Sequence, residues 1–169
     1  LNLGLCYLLI GDYENGWREY EWRRKLIKES NDKLSKEWSG QNLENKTLLV
    51  LDEGADGNLI HFIRFIRELK KESCKVIVQC SEEAMSLIKN QKWIDRAITA
   101  DEYPEHDFYI PIGSLMNVLK YNPNHHEQTF PYIEVDSDKI SKDNTDQVSI
   151  GLVFETDRNS NAHDDESID

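Results

Sequence analysis

Three observations in the 169-residue sequence predict an α/β fold in which a parallel sheet follows a helical hairpin. Short apolar runs at residues 47–51 and 75–80 have the length and make-up of strands buried on both faces. Apolar residues at helical spacing follow each run, and strands alternating with helices imply right-handed βαβ units and a parallel sheet. Residues 1–27 differ, carrying helical periodicity in two pieces with a break at Gly11-Asp12.

The first piece is lined by Leu1, Leu5, Leu8 and Leu9, and the second runs from about residue 13 to 27. Along the second, Trp17, Tyr20 and Arg24 share a face. Leu3, Gly4 and Tyr7, then Gly16 and Tyr20, put small residues where two helix backbones approach and large ones beside them. That spacing resembles the tetratricopeptide repeat, a unit that buries its faces by stacking on neighbours. An ordinary helical hairpin is the alternative. Residues 28–46 read as a polar connector, pinned to the domain surface by the apolar area of Trp38.

From residue 47 the pattern is strand, loop (52–57) and helix (58–71), with Leu59, Phe62, Ile63, Ile66 and Leu69 at core spacing. A second strand spans 75–80, and Ser81-Glu82-Glu83 supply an N-cap and an acidic first turn for a helix to about residue 90. Further strands are expected at 97–99, 108–111 and 148–154, with a helix at 114–120 and a loop at 121–129. The domain expected for the sheet is 47–154, and beyond it apolar residues almost vanish, so 155–169 reads as an acidic, poorly ordered tail.

The chain has 20 basic and 32 acidic side chains, a net charge of −12, and no segregated basic stripe. Such a surface repels a phosphate backbone, so nucleic acid is not an expected partner. No apolar run approaches the roughly 18 residues of a membrane span. Leu1-Asn2-Leu3 has neither an initiator Met nor a basic leader, so the sequence reads as an internal piece and not as a signal peptide. Cys6, Cys74 and Cys80 are odd in number and each flanked by apolar residues. They read as reduced core thiols in a cytoplasmic, reducing compartment, with neither a disulfide framework nor a metal site.

In an open parallel sheet, ligands bind beyond the carboxyl ends of the strands. That rule selects residues 52–58, Cys80-Ser81, residues 111–113 and the residues after Phe154. Gly54 and Gly57 allow close backbone approach, and the following helix start offers free N–H groups. A tight strand-to-helix turn explains the same glycines, and Asp52, Glu53 and Asp56 oppose phosphate binding there. Neither a dinucleotide fingerprint nor a Gly-Lys-Ser/Thr ending is present, which argues against P-loop hydrolysis. Glu53 and Asp56 are candidate general bases toward a hydroxyl, or simply solvated acids. His61, one turn into the helix, either points back over the loop or is a surface histidine. His125 and His126 lie adjacent on a loop, diverge, and lack supporting ligands for a metal. Arg64 and Arg67 are expected to face solvent.

The segment Gly11-Asp12-Tyr13-Glu14-Asn15-Gly16-Trp17-Arg18-Glu19-Tyr20-Glu21-Trp22-Arg23 is followed by Trp38-Ser39-Gly40, the strand at 47–51, Glu53, and Ile60-His61-Phe62-Ile63-Arg64-Phe65. Asp107-Phe108-Tyr109-Ile110-Pro111-Ile112, Ser114-Leu115, Pro131-Tyr132-Ile133 and Ile150-Gly151-Leu152-Val153-Phe154 complete the series. In this order the motifs resemble bacterial tetratricopeptide-repeat proteins that end in a glycosyltransferase domain similar to the heptosyltransferase family. The resemblance implies a Rossmann-like sheet that is the acceptor-side first lobe of a GT-B fold. The second lobe, which holds the nucleotide-sugar donor, is missing, so the isolated fragment is expected to be inactive. It further implies metal-free and cofactor-free transfer to a hydroxyl of a protein or glycan acceptor, and protein partners bound through upstream repeats. The family loop reads Glu-Gln-Gly-x-Gly-Asp; here Glu53-Gly54-Ala55-Asp56-Gly57-Asn58 puts an amide at the position of the candidate base. The implied catalytic positions are Asn58 and Asp56, and the implied substrate-binding ones Glu53, Gly57 and His61. The alternative is a non-catalytic repeat scaffold with a degenerate transferase lobe.

Overall fold

The computed structural model describes residues 1–25, 34–54, 56–70, 73–125 and 131–135. The strand expected at 148–154 and the tail at 155–169 lie outside the described residues. Five strands are described: β1 (Lys36–Glu37), β2 (Thr47–Leu51), β3 (Lys75–Gln79), β4 (Arg96–Ile98) and β5 (Phe108–Pro111). They form one sheet in the order β1-β5-β2-β3-β4, and every pairing is parallel. This is an α/β fold compatible with a Rossmann-like architecture.

The continuous apolar runs have the expected cause. In β2, Leu48 and Val50 face one core while Leu49 and Leu51 face another, and β3 divides Val76 and Val78 from Ile77 in the same way. The larger core takes the helices that follow the strands: α3 (Asp56–Phe62), α4 (Ile66–Leu69), α5 (Glu82–Ile88) and α6 (Leu115–Val118). All five residues expected at the core of the first crossover, Leu59, Phe62, Ile63, Ile66 and Leu69, are buried. Ser81 caps α5 as expected, its hydroxyl accepting the Ala84 N–H at 3.1 Å.

Some boundaries differ from the sequence reading. The first crossover helix begins at Asp56, two residues early, and a 3-10 turn at Ile63–Phe65 divides it into α3 and α4. The connector contributes β1, whose Lys36 and Glu37 pair with Phe108 and Tyr109. Trp38 does anchor it: the side chain is buried, the backbone N–H donates to Tyr109 O, and the indole N–H donates to Gln41 O.

The amino-terminal hairpin consists of α1 (Asn2–Leu9) and α2 (Tyr13–Tyr20), and α2 tightens into a 3-10 turn over Glu21–Lys25, while residues 26 and 27 of the expected helix lie outside the described residues. Both glycines sit where the helices touch. A Cβ on Gly4 would lie 2.8 Å from Tyr20 N, and one on Gly16 would lie 2.5 Å from a Leu8 methyl. Hairpin and sheet belong to one compact unit, residues 1–139. Cys74 and Cys80 are buried as core thiols, whereas Cys6 is exposed on α1.

Candidate functional site at the carboxyl edge of the sheet

From β2 the chain steps outward through β3 to β4, then returns to place β5 on the other side of β2. Strand order thus reverses between β2 and β5, the position where open parallel sheets bind ligands beyond their carboxyl ends. The segments that meet there are residues 52–54 after β2 and the 3-10 turn Ile112–Ser114 after β5.

The side chain of Arg23 occupies this junction. Its Nε donates to Glu53 Oε1 at 2.9 Å, and its Nη2 donates to Glu53 Oε2 at 3.1 Å, a bidentate pair. Nη2 also donates to Ser114 Oγ at 2.8 Å, and Nη1 donates to Glu21 Oε1 at 2.9 Å. Ser114 Oγ donates in turn to Glu21 Oε2 at 2.8 Å, and the Gly113 N–H donates to Glu53 Oε2 at 2.7 Å. Burial acts against the guanidinium charge, but Glu53 and then Glu21 outweigh it and raise the Arg23 pKa. The hairpin is thereby clasped to the carboxyl ends of β2 and β5. Gly113 is required for the fit, because a Cβ there would lie 2.5 Å from Glu53 Oε2 and 2.8 Å from Arg23 Nε.

Glu53 therefore faces inward, both carboxylate oxygens engaged, and is not presented to an open cleft. Asn58 and Gly57 lie exposed in the first turns of α3, and Gly57 has no neighbour that an added Cβ would meet. Of the two loop glycines, Gly54 is the one whose backbone demands it, with φ at +83°. His61 is exposed and turned toward the next helical turn, its Nε2 3.0 Å from Arg64 Nη2. Partial burial and the Arg64 charge lower its pKa, which disfavours the imidazolium.

Asp56 belongs to a separate cluster across the ends of β2 and β3. Its Oδ1 accepts the Ser81 hydroxyl at 2.8 Å. Asp52, the first residue after β2, is half-buried and has an Oδ1 without a partner. Burial raises its pKa, the N–H groups of Gly54 and Glu53 partly offset this, and the charges of Asp56 and Glu53 push it further up. Burial, together with Asp52 and Asp56, pushes the Cys80 thiol up to about 11, so it is not a thiolate nucleophile at neutral pH. The arrangement sets a partly buried carboxyl group of raised pKa near a second carboxylate that accepts a hydroxyl.

Sequence reasoning placed Asp52, Glu53 and Asp56 in this loop and named only Glu53 and Asp56 as candidate bases; it missed Arg23, Glu21 and Ser114 as parts of this edge. Asp52 was legible as the first polar residue after a buried strand. Arg23 carried no signal, since its partners Glu53 and Ser114 lie 30 and 91 positions away. Arg64 and Arg67 are half-buried instead of solvent-facing: Arg64 lies 5.5 Å from the ring centre of Tyr132, and Arg67 lies 5.9 Å from that of Trp93.

Among the described residues no group of three or more His, Cys, Asp or Glu side chains could hold a metal ion, and no helix is long and apolar enough to cross a membrane. Comparison with known proteins gives no match to a family model, a curated protein or a solved structure.

Proposed function

We propose that this chain is the acceptor-side lobe of a repeat-linked glycosyltransferase of GT-B type, its hairpin a terminal tetratricopeptide-like repeat. What carries the reading is a helical hairpin with glycine-mediated contacts, clasped by Arg23 to the carboxyl edge of an all-parallel sheet. Transfer requires a base that takes the proton from an acceptor hydroxyl as its oxygen attacks the anomeric carbon and the nucleotide diphosphate departs. Asp52, with its raised pKa and a buried Oδ1 that has no partner, and the neighbouring Asp56 are the groups here suited to that role. Asn58, at the position where the resembling family carries an acid, is an amide and accepts no proton at neutral pH. A donor lobe facing this edge is needed to align both substrates, and alignment accounts for much of the rate.

The test is turnover of nucleotide sugars by the intact protein that contains this chain. Asp52→Asn should lower the rate by about 100-fold or more, the usual contribution of a positioned acid–base group. Asn58→Asp tests the other position, and should raise turnover if the family base has been lost there. Wild-type rates in both Asp52→Asn and Asp56→Asn would overturn the assignment.

The second reading, a scaffold that has lost catalysis, is favoured by one observation. The strand-order junction is filled by Arg23, and Glu53 is saturated by internal hydrogen bonds. It predicts neither turnover nor nucleotide-sugar binding in the intact protein.

A further inference from the structure

At the amino edge of the sheet, His106 joins the connector to the segment that leads into β5, and its two ring nitrogens have partners of opposite kind. Nδ1 lies 2.7 Å from Pro104 O, which can only accept, so Nδ1 carries the ring proton. Nε2 accepts the Ser35 N–H at 3.1 Å, so it holds a free lone pair. One form of the ring satisfies both partners, the neutral tautomer protonated at Nδ1. A second proton would go to Nε2, the atom that faces the Ser35 N–H, and would set donor against donor. The two sides of this contact are unequally held. Next to His106, the Asp107 N–H donates to Thr47 O at 2.9 Å, Oδ2 accepts the Thr47 N–H at 2.9 Å, and Oδ1 accepts from Lys46 Nζ at 3.0 Å. The histidine therefore stands on a fixed base, in the wall of a cleft of about 580 Å³ that Leu34, Ser35, Thr47 and Tyr103 also line. Ser35 is exposed and leads into β1, two residues paired to β5 alone. Farther on, Glu37 is held by the Arg24 guanidinium at 2.6 Å, and Trp38 by its buried ring and two hydrogen bonds. The part of the connector that can yield is thus residues 34–36.

From this geometry we propose that His106 is an acid-operated latch: protonation of its ring releases Ser35 and frees residues 34–36 from the edge of the sheet. Imidazole is the side chain whose ordinary charge change falls between about pH 5 and 8, so mild acid suffices to work such a contact. Because only the neutral ring accepts the Ser35 N–H, proton uptake and release of the connector are linked. Among the described residues, the titratable and charged groups around the ring are Tyr103, Glu105 and Asp107 on its own segment, Lys46 from the turn before β2, and Lys36 beside Ser35 on the connector. Their charges move the pH at which the ring titrates, not the atom that loses its lone pair. Release also withdraws Leu34 from the second core, where it packs with Leu49, Leu51, Ile77 and Ile98. The latch does not depend on the transferase reading, because none of its residues belongs to the carboxyl edge.

The test is nuclear magnetic resonance on the full chain between pH 8 and 5. At the alkaline end the ring nitrogen resonances should report the Nδ1–H tautomer, with a scalar coupling between the Ser35 amide nitrogen and His106 Nε2 across their hydrogen bond. On acidification that coupling should vanish. Protection of the Ser35 amide, taken relative to its intrinsic exchange rate at each pH, should fall about fivefold, the scale of one net hydrogen bond. Both changes should share the midpoint read from the His106 ring itself, while protection of the Trp38 amide holds. His106→Phe removes the acceptor at every pH, so Ser35 should be weakly protected throughout and show no midpoint; the wild-type measurements decide the matter alone if that variant does not fold. An Nε2–H tautomer at pH 8, constant Ser35 protection across the range, a midpoint different from that of His106, or the same pH response in His106→Phe would overturn the proposal.

Discussion

The Arg23 and Glu53 side chains are each 8% exposed, so removing either one strands a buried charge opposite groups arranged to meet it. Breaking such a pair from one side costs about 3–5 kcal/mol, whereas an exposed pair such as Arg96–Glu102 contributes about 0–1 kcal/mol. Arg23→Ala should therefore lower the urea midpoint far more than Arg96→Ala. Arg23→Lys should recover only part of the loss, since an ammonium lacks the two-pronged fit to Glu53. Asp52 acts in the opposite sense. Its folded pKa is raised, so the folded state keeps a proton over a pH window in which the unfolded chain has released it. Its contribution to stability is full below the ordinary carboxylate range and is lost as pH climbs through the raised value. Asp52→Asn should accordingly stabilise the fold relative to wild type at neutral pH and lose that advantage in acid, as urea titrations at the two pH values will show.

Between elements, the contacts are made by backbone and carboxylates as much as by apolar side chains. The hairpin depends on Gly4 lying directly against the backbone of α2, where a Cβ would meet Tyr20 N at 2.8 Å and Glu19 C at 3.0 Å. Backbone cannot yield as a flexible side chain can, so Gly4→Ala must push the helices apart. The expected cost is about 1–3 kcal/mol, with a change in near-ultraviolet dichroism as Trp17 and Tyr20, 6.1 Å apart, shift. At the amino edge of the sheet, two aspartates fix where the central strands begin. Asp107 Oδ2 accepts the Thr47 N–H at 2.9 Å, and Asp95 Oδ2 accepts the Val76 N–H at 2.6 Å while pairing with Lys70. The Thr47 N–H and Lys46 lower the Asp107 pKa; for Asp95, burial opposes the lowering but Lys70 and the Val76 N–H outweigh it. Asp107 stands in the motif Asp107-Phe108-Tyr109-Ile110-Pro111, and here it performs a structural task that the motif alone does not reveal.

Across residues 1–139, stability is concentrated in the two strands paired on both sides and buried on both faces. Hydrogen exchange should be slowest for Leu48–Val50 and Val76–Val78, whose residues are almost all inaccessible, and fastest for the two-residue edge strand β1. Protection in β1 equal to that in β2 would mean that the connector is held by more than its pairing with β5. The α/β class, the parallel pairing and the core face of the first crossover helix were all legible in the sequence, because apolar periodicity reports directly on what each segment buries. Glycine spacing in the hairpin was legible for the same local reason. Helix ends were less so: α2 tightens at Glu21 and α3 begins at Asp56, since tertiary contacts made by Arg23 and Asp56 decide those boundaries. The candidate site divides along the same line. Local pattern placed acids after β2, but which carboxylate is neutralised by a clasp and which keeps an oxygen without a partner depends on residues far away in the chain. Glu53 meets a guanidinium from the hairpin and an amide from the end of β5, while Asp52, one position earlier, meets neither, and only the folded arrangement of three separate segments makes that distinction.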